Sequence, residues 1–250
     1  MDQLLNLTGI QVRNILYKNK SINEKHLKLL SKFLKIKNIK LKEIEFDNTK
    51  NLGKYAYTEP IILTRNKKIL SEFIGIMLGD GNIYKNTTNI AFDKRNKSYI
   101  KYTKILARNC FGVNFKFKEL KKNNGAYIYF YNKYLTQNLL DLGLKRGNKI
   151  KNQLGIPKWI IKNQKYSKMC LRGLIDTDGS IFFAKRDNAL YIDFTNHNQK
   201  LMKDFKFITK NLGYPFVKCK ETNVCLYQKK EVVRFINDIR PLKGINGAII

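Results

Sequence analysis

The sequence predicts an α+β fold. It reads as a pseudo-twofold pair of αββαββα halves, each with its own antiparallel sheet, behind a small N-terminal helical extension. Three observations predict this. The stretch LRGLIDTDGSIFF (Leu171–Phe183) is an apolar helical run that ends in Asp-Gly and turns into β-branched and aromatic residues, and EFIGIMLGDGNIYK (Glu72–Lys85) repeats the design. The two Asp-Gly pairs lie 178 − 80 = 98 positions apart, and the same succession of patterns follows each. Finally, Gly75-Ile-Met-Leu-Gly79 and Gly173-Leu-Ile-Asp-Thr177 both place small residues at i and i+4, on one helix face, where two backbones can approach closely.

Taken in order, residues 1–58 carry helical spacings at Leu27, Leu30, Phe33, Leu34, Ile36, Ile39 and Leu41. They resemble the later helices of repressor-type helix-turn-helix domains, and are expected to be either an accessory DNA-binding module or a structural cap. Residues 59–150 form the first half. After its Asp-Gly helix come a hairpin ending in NIAFDKRN, the helix KSYIKYTKILARNCFG, the strand NFKFKEL and the strand-helix run AYIYFYNKYLTQNLLDLGL. Residues 151–250 form the second half, with YIDFTNHN, QKLMKDFKFITKNLGY, PFVKCKE and VCLYQKKEVVRFINDI in the corresponding places. The hairpin after Gly179 is longer than the one after Gly81, and Asn148–Lys168, with Pro157, is read as the connector.

Composition narrows the partners. With 250 residues, 43% hydrophobic and 12% aromatic, the chain can build a substantial core and is not of the disordered class. Its 49 Lys+Arg against 19 Asp+Glu give a formal charge of +30, spread along the whole chain. Such a charge calls for a polyanion, with nucleic acid first. No run of residues is long and apolar enough to span a bilayer, and the start MDQLLNLTGIQV lacks the pattern of a secretory leader. Four cysteines without a CxxC pair and two histidines argue against zinc and for small buried thiols in a reducing, intracellular compartment. A prokaryotic cytoplasm is expected, an organelle being the alternative.

Asp80 and Asp178 stand at the C-terminal ends of apolar helices, where the macrodipole is already negative. If the two helices pack through their small faces, these acids meet, and an anionic cluster of this kind requires a cation. Carboxylate and carbonyl oxygens suit Mg²⁺, with Mn²⁺ or Ca²⁺ able to take the same place. The strands supply a candidate binding surface. Period two places Lys116 and Lys118 opposite in sense to Phe115 and Phe117, and Lys218 and Lys220 opposite to Val217 and Cys219. Tyr127, Tyr129 and Tyr131 form another one-face set.

FIGIMLGDG (Phe73–Gly81) and LRGLIDTDG (Leu171–Gly179) resemble the two signature motifs of the LAGLIDADG homing endonuclease family in its single-chain, two-motif form. The resemblance runs from about Leu70 to Asp238. It implies a saddle of two antiparallel sheets over double-stranded DNA of about two helical turns, bound by a monomer, and Mg²⁺-dependent cleavage of both strands at a long asymmetric site. It implies metal ligation by Asp80 and Asp178 with the carbonyls of Gly79 and Thr177, and leaves Asp176 as a polar helix-end residue. It also implies catalytic lysines at the ends of the last strands, Lys133 and Lys230, which follow Asp80 and Asp178 by 53 and 52 positions, with Lys229 a rival for the second. Asp93 and Lys94 in one half, and Asn196 and His197 in the other, occupy a further polar position that would face DNA, with Lys94 near the chemistry. The alternatives on the same fold are an RNA maturase acting on an intron, and a DNA-binding regulator that does not cleave.

Overall fold

The computed structural model describes residues 61–243, apart from Lys122 and Arg186. The expectations for residues 1–58 lie outside the described residues. Both halves belong to the unit Pro60–Ile250.

The first half runs α1 (Lys67–Gly79), β1 (Gly81–Tyr84), β2 (Thr87–Asp93), α2 (Lys97–Phe111), β3 (Lys116–Glu119), β4 (Gly125–Tyr131) and α3 (Lys133–Asp141). A short helix, α4 (Lys158–Ile161), leads into the second half. That half is α5 (Gln164–Asp178), β5 (Gly179–Ala184), β6 (Ala189–Thr195), α6 (Gln199–Asn211), β7 (Val217–Lys220), β8 (Asn223–Leu226) and α7 (Lys229–Ile239). Each half has one antiparallel four-stranded sheet, in the order β1-β2-β4-β3 and β5-β6-β8-β7. The expected αββαββα repeat is therefore present in both. The chain's many asparagines serve this architecture directly. Asn66, Asn132, Asn163 and Asn198 cap α1, α3, α5 and α6, each accepting from backbone N–H groups of the first turn.

Alternation sorts the sheets into two faces. In the first sheet Ile83, Thr88, Ile90, Ala126, Ile128 and Phe130 point to the core and are buried. On the other face Asn82 pairs with Asn89, Asn89 with Tyr129 and Tyr129 with Lys116, while Ala91 pairs with Tyr127 and Tyr127 with Lys118. The lysines and tyrosines thus share the open face, as the alternation implied. The second sheet departs from its reading. Val217 pairs with Cys225 on the open face, and Lys218 pairs with buried Val224 on the core side. An irregularity between Lys218 and Lys220 then returns Lys220 to the open face, opposite Asn223. The extra residue shifts the phase by one, which strict period two could not anticipate. Lys218 lies instead 3.2 Å from Glu221. The cysteines also divide differently from the expectation. Cys110 and Cys170 are buried free thiols, but Cys219 and Cys225 form a disulfide across β7 and β8.

The connector is not a loose tether. Leu154, Ile156 and Ile160 are buried, and Asp204 on α6 accepts the Ile156 N–H at 2.9 Å.

The two halves meet along α1 and α5. Glycine is required at both crossing points, because a Cβ on Gly75 would overlap the Cys170 carbonyl and one on Gly173 would lie 2.7 Å from the Ile76 nitrogen. Beside this seam Glu72, 1% exposed, accepts a 2.6 Å hydrogen bond from the Tyr102 hydroxyl. The Arg172 guanidinium lies against the same carboxylate at 3.5 Å. Burial raises the Glu72 pKa, opposed by Tyr102 and Arg172. Replacing Gly173 by Val should force the helices apart and lower stability by about 3 kcal/mol, the upper part of the usual range for overpacking. Urea unfolding measures this, and an unchanged midpoint would mean the seam is not close-packed.

Candidate metal centre

The seam carries both motif acids to one place. A Cβ on Gly79 would fall on the Thr177 side chain, so the last turns of α1 and α5 touch. Asp80 and Asp178 follow these residues directly, and the Asp178 charge acts on Asp80. Burial first, and then Asp178, push the Asp80 carboxyl up to about 6. Asp178 is also raised by burial, against a 2.7 Å hydrogen bond from the Asn196 side-chain amide and the charges of two lysines. Those lysines are Lys149, in the segment after α3, and Lys243, in the segment after α7. The Lys149 ammonium donates to the Gly79 carbonyl, and that of Lys243 donates to the Thr177 carbonyl at 3.0 Å. Each half therefore contributes one acid, the carbonyl before it and one lysine. Burial lowers the Lys149 pKa, with the two aspartates opposing the shift.

This donor set fits a hard divalent cation. The oxygens are carboxylates and carbonyls, and cationic ammonium groups already lie on the carbonyls. Among the described residues no group of three or more His, Cys, Asp or Glu side chains could enclose a metal. A bound ion would therefore need oxygens from water or phosphate to complete its shell, the usual situation for Mg²⁺.

Asp80 opens onto the exposed face of the first sheet. Asp80 lines a depression of about 450 Å³ with Asn82, Asn89, Lys118, Tyr127 and Tyr129, on the open side of the first sheet. The other residues expected from the sequence lie as follows. Asn196 is at the centre, bonded to Asp178. His197 beside it is exposed. Asp93 is bound by the Arg95 guanidinium, which holds its carboxyl at about 2. Lys94 lines a second depression with Lys97, Lys101 and Phe117, beside α2. Lys133 begins α3 with its ammonium 5.1 Å from the Tyr134 ring centre. Lys230 is exposed in the first turn of α7. Sequence reasoning passed over Lys149 and Lys243, which the fold brings to the acids. A signal was present in their parallel places, each in the segment just after the last helix of its half.

The carboxyl shifts give a pH dependence. A carboxyl raised from 3.8 to about 6 binds its proton more tightly in the folded chain. Metal-free protein should thus lose stability as pH rises from about 4 to about 6, by up to about 3 kcal/mol for Asp80. D80N should flatten that part of the slope and stabilise the metal-free protein at pH 7. Thermal unfolding in a chelating buffer from pH 4 to 8 checks it, and an unaltered slope in D80N would remove Asp80 from the coupled pair.

Residues 165–239 match the LAGLIDADG-like domain family. No curated protein matches the chain. Similar solved structures include mesophilic variants of the homing endonuclease I-DmoI, with 16% identity, 69% of this chain and 95% of that chain covered, and a TM-score of 0.46. The homing endonuclease I-WcaI bound to its DNA recognition sequence is 15% identical, with coverages of 73% and 85% and a TM-score of 0.47. The N-terminal LAGLIDADG domain of DUF199/WhiA is 12% identical, with coverages of 71% and 85% and a TM-score of 0.44. The matched segment coincides with the run from α5 to α7, and the first half repeats its element order and sheet topology around a motif of its own. Residues 165–239 are thus similar to a LAGLIDADG-like domain, and they are joined in one chain to a second unit of the same αββαββα design.

Proposed function

We propose that the chain is a sequence-specific endonuclease that hydrolyses phosphodiesters on both strands of double-stranded DNA with Mg²⁺. The observation that carries this is the duplicated set of acid, preceding carbonyl and lysine at the junction of α1 and α5. A protein that only bound DNA would have no need to bury two like charges, whose mutual repulsion works against folding. Two such sets match two scissile strands. A bound divalent ion supplies neutralisation of phosphate charge and a more acidic water.

The chain's own groups divide the remaining work. Asp80 and Asp178 hold the negative charge that attracts the ion. Asn196 fixes the orientation of Asp178 through its amide. Lys149 and Lys243 present ammonium groups beside the reacting phosphate, where negative charge develops. The sequence expectation gave this role to Lys133 and Lys230; we assign it to Lys149 and Lys243 because their ammonium groups lie on the carbonyls beside the acids. The open sheet faces bind the duplex, with Lys116, Lys118 and Lys220 on phosphates and Asn82, Asn89 and the tyrosines toward base edges. Cleavage is favoured over the maturase and regulator readings because both sets retain every member.

D80N and D178N should each reduce cleavage at least about 100-fold while specific DNA binding changes little. K149M and K243M should each slow cleavage of one strand at least about tenfold. A duplex selected by the protein from a randomised library serves as substrate, with a gel-shift titration alongside. Wild-type cleavage by either aspartate variant would exclude the metal assignment.

The open faces differ, with Lys116 and Lys118 in one half against Val217 and Lys220 in the other, and the β5–β6 hairpin has six paired positions against four in β1–β2. The protein should therefore act as a monomer on an asymmetric site. Light scattering on one duplex and a scan of single-base changes test this. Two chains per duplex, or a tolerance profile mirrored about the cut, would overturn it.

A further inference from the structure

The two lysines at the centre are held in place by different means. Lys149 sits in a turn organised by its neighbours. The Asn148 side chain accepts from the Ile150 and Lys151 N–H groups at 2.9 and 3.0 Å, and the Lys149 carbonyl accepts from Leu154 N–H and from the Asn198 amide. Lys243 instead follows the end of α7, where Arg240 adopts a left-handed conformation with φ of 53°. What meets the backbone there is Asp176, 66 and 67 positions earlier in sequence. One of its carboxylate oxygens, Oδ1, accepts from the N–H groups of Leu242 and Lys243 at 2.7 and 2.9 Å. Asp176 is 6% exposed and lies in the last turn of α5, two residues before its end. The residue in the same place of the first motif is Leu78, a buried apolar side chain that can accept nothing.

We propose that Asp176 is a positioning residue for the second half of the centre. Its carboxylate clamps the chain at Leu242 and Lys243, and so sets the Lys243 ammonium on the carbonyls of Thr177 and Gly179 that flank Asp178. The physical argument is one of reach. A lysine side chain has four flexible bonds, and its ammonium stays at one spot only if its backbone is fixed. Two charge-assisted bonds to one buried oxygen fix that backbone at the residue itself. The acid that the motif comparison left as a polar helix-end residue thereby acquires a function that the first motif does not need. The effect on catalysis rests on the nuclease reading; the clamp itself does not.

The test uses the full chain and three variants. D176L installs the first motif's residue, D176N keeps an oxygen at the clamp, and K243M keeps the clamp but removes the ammonium. Hydrogen exchange, followed on the peptide spanning Ile236 to Lys243, should show the amides of Leu242 and Lys243 protected, in addition to those bonded within α7, in wild type, D176N and K243M. Both should exchange freely in D176L. On a duplex labelled on either strand, D176L and K243M should slow cleavage of the same strand at least about tenfold and leave the other within about threefold, so that nicked product accumulates. D176N should nick far less. Protection that survives in D176L would overturn the clamp. Loss of protection with both strands slowed equally, or with neither slowed, would overturn its role in placing Lys243. A wild-type chain that cuts no selected duplex would defeat the nuclease reading, and the exchange result would still decide whether the clamp exists.

Discussion

The rest of the structure depends on the contact of α1 with α5 without intervening side chains. Gly75 against the Cys170 carbonyl and Gly173 against the α1 backbone let two helices touch where a single methyl group would separate them. Everything at the centre is downstream of that approach. It joins the two cores, brings Gly79 onto Thr177, and leaves Asp80 and Asp178 to share a space that neither would choose alone. The repulsion is partly answered by Lys149 and Lys243, which arrive from segments far from either motif. Close packing and charge are therefore one problem here: the tighter the seam, the stronger the field that gathers cations at its end.

Much of this could be read in the residues. The 3.6-residue spacing of apolar positions before each Asp-Gly, the abrupt change to strand rhythm after it, and the repetition 98 positions later are local signals that tertiary context did not override. The acids stood out because they oppose the helix dipole, and an element that breaks a local rule is where function is to be sought. The lysines could not be singled out in this way. In a chain with 49 Lys+Arg, one more lysine in an irregular segment carries no information until the fold shows which one reaches inward. The misread face of β7 has a different origin. Alternation assumes an unbroken ladder, and the irregularity between Lys218 and Lys220 lies on an edge strand, where an extra residue is most easily accommodated. Asp93 illustrates a third kind of difficulty. Its pairing with Arg95, two residues on, is a purely local contact that gives the residue a conformation without linking it to the acids.

Pseudo-symmetry in this chain is a symmetry of path more than of parts. Topology, glycines, acids and lysines correspond, while the means of support do not. Leu78 stands opposite Asp176, a short hairpin opposite a long one, and a lysine-bearing edge opposite one that carries a disulfide. Once two copies lie in one chain they no longer need to be identical, and each can find its own way of holding the same chemical groups.

One bond crosses the division between the halves in an instructive manner. The Asn198 amide, in the cap of α6, donates to the carbonyls of Lys149 and Leu154. A lysine belonging to the first set is thus tied to a helix of the second. The halves are consequently not interchangeable cassettes. A chimaera joined anywhere between α3 and α5 would inherit the first acid with its glycine and yet lose the anchorage of its ammonium group, unless the incoming half brought an equivalent amide. The natural unit for transplantation therefore extends past the first half's last helix, through the connector, to the start of α6.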